Sequence, residues 1–313
     1  MMDPQKEALD QAARRTLAEH GKTFAWASRA LGREAAQRVA TLYAFCRRLD
    51  DLVDDKPKDE ASAALATVRR DLTSGRSEDV NVRRFLELAE TCGIAVEIPL
   101  QLLAGFEDDL GFVRIGSESE LVRYAYRVAG TVGLMSNRIL GVEDREADPF
   151  AIDLGIAMQL TNIARDVVED AARDRVYLPR PWIPRDVTPT TLSHARLRTR
   201  LETRVAVNRT LSLADRYYRS ADAGLAFLPT RACLAVATAS RCYEAIGESI
   251  RAQRDRAWGE RAYVRSSRRL FHTGRAGRAW LATLMPGSKR ARPAHEPALH
   301  ASLRGMPGVD PLA

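Results

Sequence analysis

The sequence lacks the residue patterns that mark several common classes of enzyme. Its four cysteines, Cys46, Cys92, Cys233 and Cys242, form no C-x-x-C pair, so neither a zinc ribbon nor a dithiol redox site is indicated. The five histidines show no H-E-x-x-H spacing, which excludes the usual metalloprotease signature. A glycine-rich nucleotide fingerprint and a signal-peptide core are also missing. The cysteine pattern predicts a protein of the reducing cytoplasm.

Aromatic side chains make up only 6% of the chain, and no run alternates apolar and polar residues as a half-buried strand would. Ala, Leu and Arg are abundant instead, which favours helices. The spacing of apolar residues predicts long helices that include 33–54, 118–140 and 149–170. The predicted fold class is therefore all-α.

No linker or change of composition divides the 313 residues, although a single hydrophobic core is usually limited to about 250 to 300 residues. We predict one domain over residues 1–285. Residues 286–313 are rich in Pro, Gly and Ala without an apolar period, and this tail is predicted to be disordered. No stretch approaches the roughly 20 apolar residues of a membrane anchor. We expect a cytoplasmic protein, soluble or peripheral to the inner face of the membrane.

Two acidic motifs, far apart in the chain, are the most informative features of the sequence. The first motif is Asp50, Asp51 and Asp54 in CRRLDDLVDD, and the second is Asn162, Asp166 and Asp170 in QLTNIARDVVEDAARDRVYLP. Side chains four residues apart lie on one face of a helix, with Cβ atoms about 5 to 6 Å apart. Like charges at that spacing destabilise a helix by roughly 0.2 to 0.5 kcal/mol per pair, so a bound cation is expected to offset them.

Mg²⁺ suits such motifs because it prefers oxygen ligands and completes its coordination with water and phosphate. Mn²⁺ is the alternative ion. Two facing motifs would bind a diphosphate group through metal ions, and the neighbouring Arg47 and Arg165 are suited to bidentate contacts with phosphate. The alternative interpretation is a solvated acidic face paired with arginine. The apolar segments LYAF and IAMQL before the two motifs argue against it.

These motifs resemble those of the phytoene and squalene synthase family, the head-to-head branch of the isoprenoid synthases. The resemblance covers roughly residues 15–285. It is carried by KTFAWAS, YAFCRRLDDLVDD, YAYRVAGTVGLM, QLTNIARDVVEDAARDRVYLP and PTRACLAVATASRCYEAIGESI followed by ERAYV. Within the family, RCYEAIGESI with ERAYVRSSRRL is most similar to bacterial phytoene synthases.

The resemblance implies an all-α, single-domain isoprenoid synthase bundle with a central cavity. The activity it implies is a prenyltransferase reaction of carotenoid biosynthesis, in which two geranylgeranyl diphosphates condense through prephytoene diphosphate to phytoene and release diphosphate. Mg²⁺ is the implied cofactor, and no NADPH is expected. Two alternatives stay open. One is a C30 enzyme that makes squalene, dehydrosqualene or hydroxysqualene from farnesyl diphosphate, and the other is a non-catalytic helical assembly factor.

The family's functional positions map onto residues of this sequence. The implied metal ligands are Asp50, Asp54, Asn162, Asp166 and Asp170, and the four aspartates are predicted to be catalytic together with Tyr177. Diphosphate contacts are implied for Thr23, Arg47, Arg165 and Arg261, and cavity positions for Tyr43, Tyr126, Gly130, Gly133 and Tyr243. Gly21 stands where relatives often have serine, which removes one side-chain contact to phosphate.

Several of these residues have a second interpretation. Gly130 and Gly133 indicate either a cavity wall or a close helix crossing, and each tyrosine fits a core position with a hydrogen-bonded hydroxyl. A third acidic cluster at residues 107–109 is predicted to be a solvated face. Asp51 lies about 100° around the helix from Asp50, so only one of them points fully inward.

Positive charge gathers in residues 251–292, which hold 12 Lys or Arg against Asp255 and Glu260. No interleaved aromatic pattern or nucleic-acid motif accompanies this charge, so no nucleic-acid partner is expected. The segment LFHTGRAGRAWLATLM mixes basic and apolar residues as an interfacial helix does. Peripheral membrane contact through this basic C-terminal helix and a plain solvated helix are both open.

Overall fold

The computed structural model describes residues 4–194, 197–252, 273–274, 277 and 293–310, and these form a helical bundle, as predicted. The helices of these residues are α1 (Pro4–His20), α2 (Lys22–Ala27), α3 (Arg33–Asp54), α4 (Lys58–Ser74), α5 (Val80–Cys92), α6 (Glu97–Asp108), α7 (Glu118–Ala125), α8 (Thr131–Ile139), α9 (Asp148–Arg165), α10 (Val167–Ala172), α11 (Pro189–Ser193), α12 (Leu197–Gly224) and α13 (Thr230–Ala252). In the part of the chain described, none is long and apolar enough to cross a bilayer. Apart from residues 273–274 and 277, the basic segment around residues 261–283 lies outside the described residues.

Helix α9 is the centre of the bundle, where it packs against α8, α12 and α13. Its sequence is apolar on almost every side, with Ile152, Ile156 and Leu160 fully buried. A helix that is apolar all round belongs in a core rather than at a surface. Pro149 lies in its first turn, where proline costs no hydrogen bond.

Two glycines let α9 cross the preceding helix at very short range. A Cβ on Gly133 would lie 2.1 Å from the Ala151 carbonyl oxygen, and one on Gly155 would lie 2.2 Å from the Ala129 oxygen. The predicted helix 118–140 is interrupted by a π-helical turn, Tyr126–Gly130, between α7 and α8. Glycine at this crossing is therefore explained by backbone contact.

Replacing Gly133 by alanine is expected to lower the free energy of unfolding by at least about 1 to 3 kcal/mol, because backbone atoms must move apart. Gly111→Ala is the matched control, since a Cβ there meets nothing within 4 Å, and its effect should stay within about 0.5 kcal/mol. Denaturant unfolding of the two variants measures both effects. Equal stability of the two would contradict the crossing described above.

The second acidic motif spans a break between two helices. Helix α9 ends at Arg165, and Asp166 has φ −102° and ψ 17° before α10 begins. The predicted single helix 149–170 is wrong at this residue. Backbone bonds of helical spacing nevertheless continue, from the Asp166 amide to the Asn162 oxygen and from the Asp170 amide to the Asp166 oxygen, both at 2.8 Å. The motif's residues therefore stay one turn apart.

A pair of two-residue strands, which the sequence did not predict, joins the segment after α6 to the segment after α10. Strand β1 (Val113–Arg114) follows α6, and β2 (Arg175–Val176) follows α10 and pairs with β1 in parallel. Asp174 precedes β2 with φ 64° and accepts a 2.8 Å bond from Arg114. Asp tolerates this left-handed conformation better than most residues.

Residues 293–310, which we call the C-terminal segment, are ordered and packed on the bundle. The predicted disorder of the tail from residue 286 is wrong for them. Leu299, Leu303 and Val309 are buried, and the Tyr217 hydroxyl donates to the Leu299 oxygen at 2.9 Å. Composition misled the prediction because Pro297–Leu303 forms a 3₁₀ helix, whose apolar spacing differs from the α-helical period.

Two histidines of this segment form hydrogen bonds with a carboxylate of α9. His295 and His300 place their Nε2 atoms 2.8 and 2.7 Å from the two oxygens of Asp153, which is fully buried. Burial raises the pKa of Asp153, but the bonds from both imidazoles outweigh it and lower the net value. The His300 Nδ1 atom is buried without a partner, whereas a metal-bound histidine normally donates its second N–H. We therefore interpret Asp153, His295 and His300 as a hydrogen-bonded cluster rather than a metal site, and call it the Asp153 lock.

Candidate active site

The first acidic motif occupies the last turns of α3. Arg47 donates to Asp50 at 3.1 Å and also pairs with Asp51. Asp54 instead pairs across the molecule with Arg175, at 3.0 Å, and with Arg173, at 3.6 Å. Both arginines follow the second acidic motif in the chain, so their contacts with Asp54 bring the two motifs together. Sequence reasoning missed these arginines because the pairing is long-range.

In the second motif, Arg165 contacts its neighbour Asp166 with two parallel bonds of 2.7 and 2.6 Å. Both side chains are mostly buried, at 12% and 13% exposure. Such a bidentate, charge-assisted pair fixes the geometry of both groups. Asn162 lies one turn earlier on the wall of the cavity, and its side-chain nitrogen donates to Gln159 at 3.3 Å.

Burial and neighbouring carboxylates make the charged forms of two motif residues, Asp50 and Asp170, unfavourable in the folded protein. Burial, with repulsion from Asp166 and Asp109, raises the pKa of Asp170 to about 8. Burial and repulsion from Asp54 raise the pKa of Asp50 to about 6. Asp50 keeps 47% of its side-chain surface accessible, as expected for a group at the open end of a cleft. A cation bound beside these carboxylates would favour their charged forms.

An unpartnered oxygen also fits a metal ion at this place. The Asn162 Oδ1 atom is buried and has no hydrogen-bond partner. A buried amide oxygen left unpaired costs free energy, and an oxygen beside carboxylates is a ligand that Mg²⁺ and Mn²⁺ accept. The donor set of Asp50, Asp54, Asn162, Asp166 and Asp170 is thus of the right chemical type for a divalent ion.

The third acidic cluster, residues 107–109, was predicted to be a solvated face. The structure shows that this is wrong for one of its residues. Glu107 and Asp108 do pair with arginines, but Asp109 is buried and accepts bonds from the hydroxyls of Tyr124, at 2.9 Å, and Tyr177, at 2.7 Å. Burial raises the pKa of Asp109 to about 6. The prediction was wrong for Asp109, although its helical spacing from the buried Leu102 gave a signal that it faces the core.

An apolar cavity of about 320 Å³ extends into the bundle from the motifs. Its wall includes Asn162 and Gln159 at the end near the second motif, and Cys46 one turn before Asp50. The rings of Phe24 and Tyr243 lie 5.6 Å apart on the same wall. A cavity with polar groups at one end and apolar groups elsewhere is suited to an amphiphilic ligand.

The structure brings only some of the predicted cavity residues to this wall. Tyr43, Tyr243 and Gly133 line it, whereas Tyr126 and Gly130 are not among the lining residues. Tyr126 is a core residue whose hydroxyl donates to the Pro307 oxygen at 2.8 Å. Gly130 is buried within the helix crossing, with a virtual Cβ 3.3 Å from Ile152.

Of the remaining predicted site residues, Tyr177 is buried with its hydroxyl on Asp109 and does not line the cavity. Thr23 is half-buried in α2, and Arg261 lies outside the described residues. Gly21, which departs from the family pattern, has a structural reason. A Cβ there would lie 2.8 Å from the Tyr43 ring, so glycine lets the chain pass close to the cavity wall.

Known proteins are similar to this chain in sequence and in fold. The family model for squalene/phytoene synthase matches residues 17–270. Phytoene synthase of Pseudescherichia vulneris is 36% identical over 85% of this chain and 90% of its own length. The 15-cis-phytoene synthase of Pantoea ananas is 34% identical over 82% of this chain and 86% of its own.

Solved structures with a similar fold include enzymes related to the phytoene synthases above. A dehydrosqualene synthase crystal structure, in complex with ligand, superposes with a TM-score of 0.76 at 26% identity and covers 90% of this chain and 100% of that one. The squalene synthase of Alicyclobacillus acidocaldarius has a TM-score of 0.67 at 23% identity and covers 80% and 96%, respectively, which shows a shared fold. The chain has two acidic motifs beside an apolar cavity in an all-α isoprenoid synthase fold. Together with the sequence matches, this shows that it belongs to the squalene/phytoene synthase family.

Proposed function

We propose that the protein is a phytoene synthase, which condenses two molecules of geranylgeranyl diphosphate head to head. The observation that carries the proposal is the apolar cavity that begins directly beside the acidic motifs. A prenyl diphosphate has the same division, with an anionic head and a long hydrocarbon chain. The phytoene synthases among the relatives support this substrate class.

The extent of the cavity wall along α9 supports a C20 chain. Asn162 and Phe150 both line it and are 12 residues apart on α9, which corresponds to about 18 Å along the helix. An extended geranylgeranyl chain is roughly 19 Å long and a farnesyl chain roughly 14 Å, given a zigzag of carbon–carbon bonds of about 1.5 Å. The longer chain matches the distance from the second motif to Phe150.

The reaction begins when the carbon–oxygen bond of one molecule breaks and diphosphate leaves with the electron pair. The double bond of the second molecule attacks the allylic cation, and loss of a proton closes the cyclopropane ring of prephytoene diphosphate. The second diphosphate then leaves, the ring opens and rearranges, and a final proton loss gives phytoene. No external reductant is consumed, so NADPH is not needed.

The chain's own residues supply three conditions for this chemistry. Arg47 and Arg165 lie beside the acidic motifs, where guanidinium groups can orient phosphate oxygens. The apolar wall excludes water, which would otherwise quench a cation. The rings of Phe24, Tyr43 and Tyr243 offer cation–π attraction of about 2 kcal/mol or more in a desolvated site.

Family members are divalent-metal-dependent prenyl synthases, and we propose Mg²⁺, with Mn²⁺ as the alternative. When bound, the ion stabilises the charge of the departing diphosphate. Asp50, Asp54, Asn162, Asp166 and Asp170 would hold it.

Binding of Mg²⁺ is expected to strengthen as the pH rises from 6 to about 8 and to release about one proton near pH 7, because Asp170 has a pKa of about 8. The same raised pKa values mean that the folded, metal-free protein holds more protons than the unfolded chain between pH 4 and 8. Its stability should therefore fall as the pH rises through this window. Calorimetry in buffers of different ionisation enthalpy measures the proton release. Release that persists unchanged in Asp170→Asn would contradict the assignment.

Product analysis tests the proposed function. Purified protein is incubated with Mg²⁺ and either geranylgeranyl or farnesyl diphosphate, with and without NADPH, and products are identified by chromatography and mass. A C40 hydrocarbon formed without NADPH is the expected result. A C30 product alone would instead support a dehydrosqualene-type activity, the second candidate, which the structural similarity to a dehydrosqualene synthase favours. No product from either substrate would support the non-catalytic alternative.

A further inference from the structure

Phe150 lines the cavity near the start of α9, toward the end opposite the second acidic motif, where Ala147 also lines it. It is in the first turns of α9, about 18 Å along the helix from Asn162. The cavity wall there also includes Leu140, which follows α8, and Gly224, the last residue of α12. Helix ends therefore meet at this place, and Phe150 supplies the large ring among them.

The Phe150 ring is held on three sides. A Cβ on Gly224 would lie 2.3 Å from the Phe150 Cβ, so α12 passes directly against it. The ring of Phe227 lies 5.7 Å away, and the ring of His295 meets Phe150 edge-on at 5.3 Å and 84°. Only 4% of Phe150 is exposed. A ring packed in this way has little freedom to move aside for a ligand.

His295 belongs to the C-terminal segment, and its position is fixed in turn by the 2.8 Å bond to Asp153. Asp153 is on α9, three residues after Phe150. One histidine thus connects the Asp153 lock to the cavity wall at Phe150. The lock stabilises the fold, and the same contact supports Phe150.

We propose that Phe150, supported by His295, forms the floor of the prenyl channel and sets the longest prenyl chain that the protein accepts. The inference rests on the proposed function, since it assumes a prenyl diphosphate with its head group at the motifs. One further isoprene unit would lengthen the chain by roughly 5 Å, which the Phe150 ring blocks. Removal of the ring opens space in the direction in which a longer chain extends.

The test compares C20 and C25 prenyl diphosphates with the full-length protein. Phe150→Ala is expected to raise the ratio of C25 to C20 turnover at least about tenfold, because pocket size alone discriminates by factors of this order. Phe150→Leu should raise it by a smaller factor. His295→Ala should also raise the ratio. Phe85→Ala is the matched control, since Phe85 is buried against Phe45 away from the cavity wall.

Affinities for unreactive thiolodiphosphate analogues of both lengths give a readout that does not require turnover. An unchanged affinity ratio in a folded Phe150→Ala or Phe150→Leu protein overturns the inference, and Phe150→Leu decides if the alanine variant does not fold. An equal rise in Phe85→Ala overturns it as well, because general loosening would then explain the effect. Failure of the wild-type protein to convert C20 substrate would refute the proposed function alone, since the affinity ratio still tests the floor.

Discussion

Replacing Asp50 by asparagine is expected to lower product formation by about 10²- to 10³-fold or more, as loss of one group that supports charge in the transition state does in other enzymes. The same change should leave the metal-free protein at least as stable as the wild type at pH 8. The pKa of Asp50 is raised to about 6 by burial and by Asp54, so its charged form is unfavourable in the folded state. Steady-state turnover and thermal unfolding with chelator measure the two effects.

Asp55→Asn is the matched control for Asp50→Asn. Asp55 follows the last residue of α3 and is exposed, so its replacement should change turnover less than about twofold and stability by no more than about 0.5 kcal/mol. Equal losses of activity in both variants would contradict a specific role for Asp50. A marked loss of stability in Asp50→Asn would show that this carboxylate stabilises the apo fold.

Asp166→Ala should differ from Asp50→Asn in an informative way. Turnover should again be lost, but the metal-free protein should be less stable than the wild type. Both oxygens of Asp166 accept bonds from Arg165, which is only 12% exposed. Removing one partner of a largely buried pair leaves the other charge without compensation. The two acidic motifs thus have different roles in the fold although their sequence spacing is the same.

Removal of residues 293–313 is expected to lower the melting temperature by at least about 10 °C and to abolish turnover. The deletion exposes the sites of Leu299, Leu303 and Val309 and leaves the fully buried Asp153 without either imidazole. An unpaired buried charge alone costs about 3 to 5 kcal/mol, a large part of the 5 to 15 kcal/mol that stabilise a typical domain. Differential scanning fluorimetry of the truncated and full-length proteins provides the comparison.

Two point variants test whether buried side chains of the C-terminal segment, rather than the presence of the segment alone, stabilise the protein. Leu303 is fully buried, so Leu303→Ala should cost about 2 to 5 kcal/mol. Arg304, its exposed neighbour, should be replaceable by alanine with less than about 0.5 kcal/mol of change. If the truncated protein melts within 2 °C of the full-length protein, the segment is not part of the cooperative core.

Local pattern accounts for the features that sequence reasoning predicted correctly. Helix α3 begins at Arg33 and ends at Asp54 as predicted, because an apolar period and flanking breakers decide both ends. The four-residue spacing of the two acidic motifs could be recognised in the sequence, and the metal-ligand role of their side chains stays a prediction. Pairings between distant segments could not be predicted from the sequence. Examples are the pairs of Asp54 with Arg175 and of Asp153 with His300.

The C-terminal segment shows why composition is a weak guide to order. Its Pro and Gly content is typical of disordered chains, yet a few apolar side chains at irregular spacing were sufficient to bury it. Asp109 shows a different error. Its sequence neighbours suggested a solvated acidic cluster, whereas its helical face, shared with Leu102, pointed to the core. The position of each acidic residue on the helix surface, rather than the type of its sequence neighbours, distinguishes Asp109 from Glu107.

The Asp153 lock also places a condition on the order of folding. Its two histidines come 142 and 147 residues after Asp153, so the ribosome delivers them long after α9 has been made. Domains tend to form from the amino terminus during synthesis, and α9 must therefore wait for its last partners. We expect the nascent bundle to stay loosely closed around α9 until residues 293–310 have been made, after which the C-terminal segment completes the packing around Asp153.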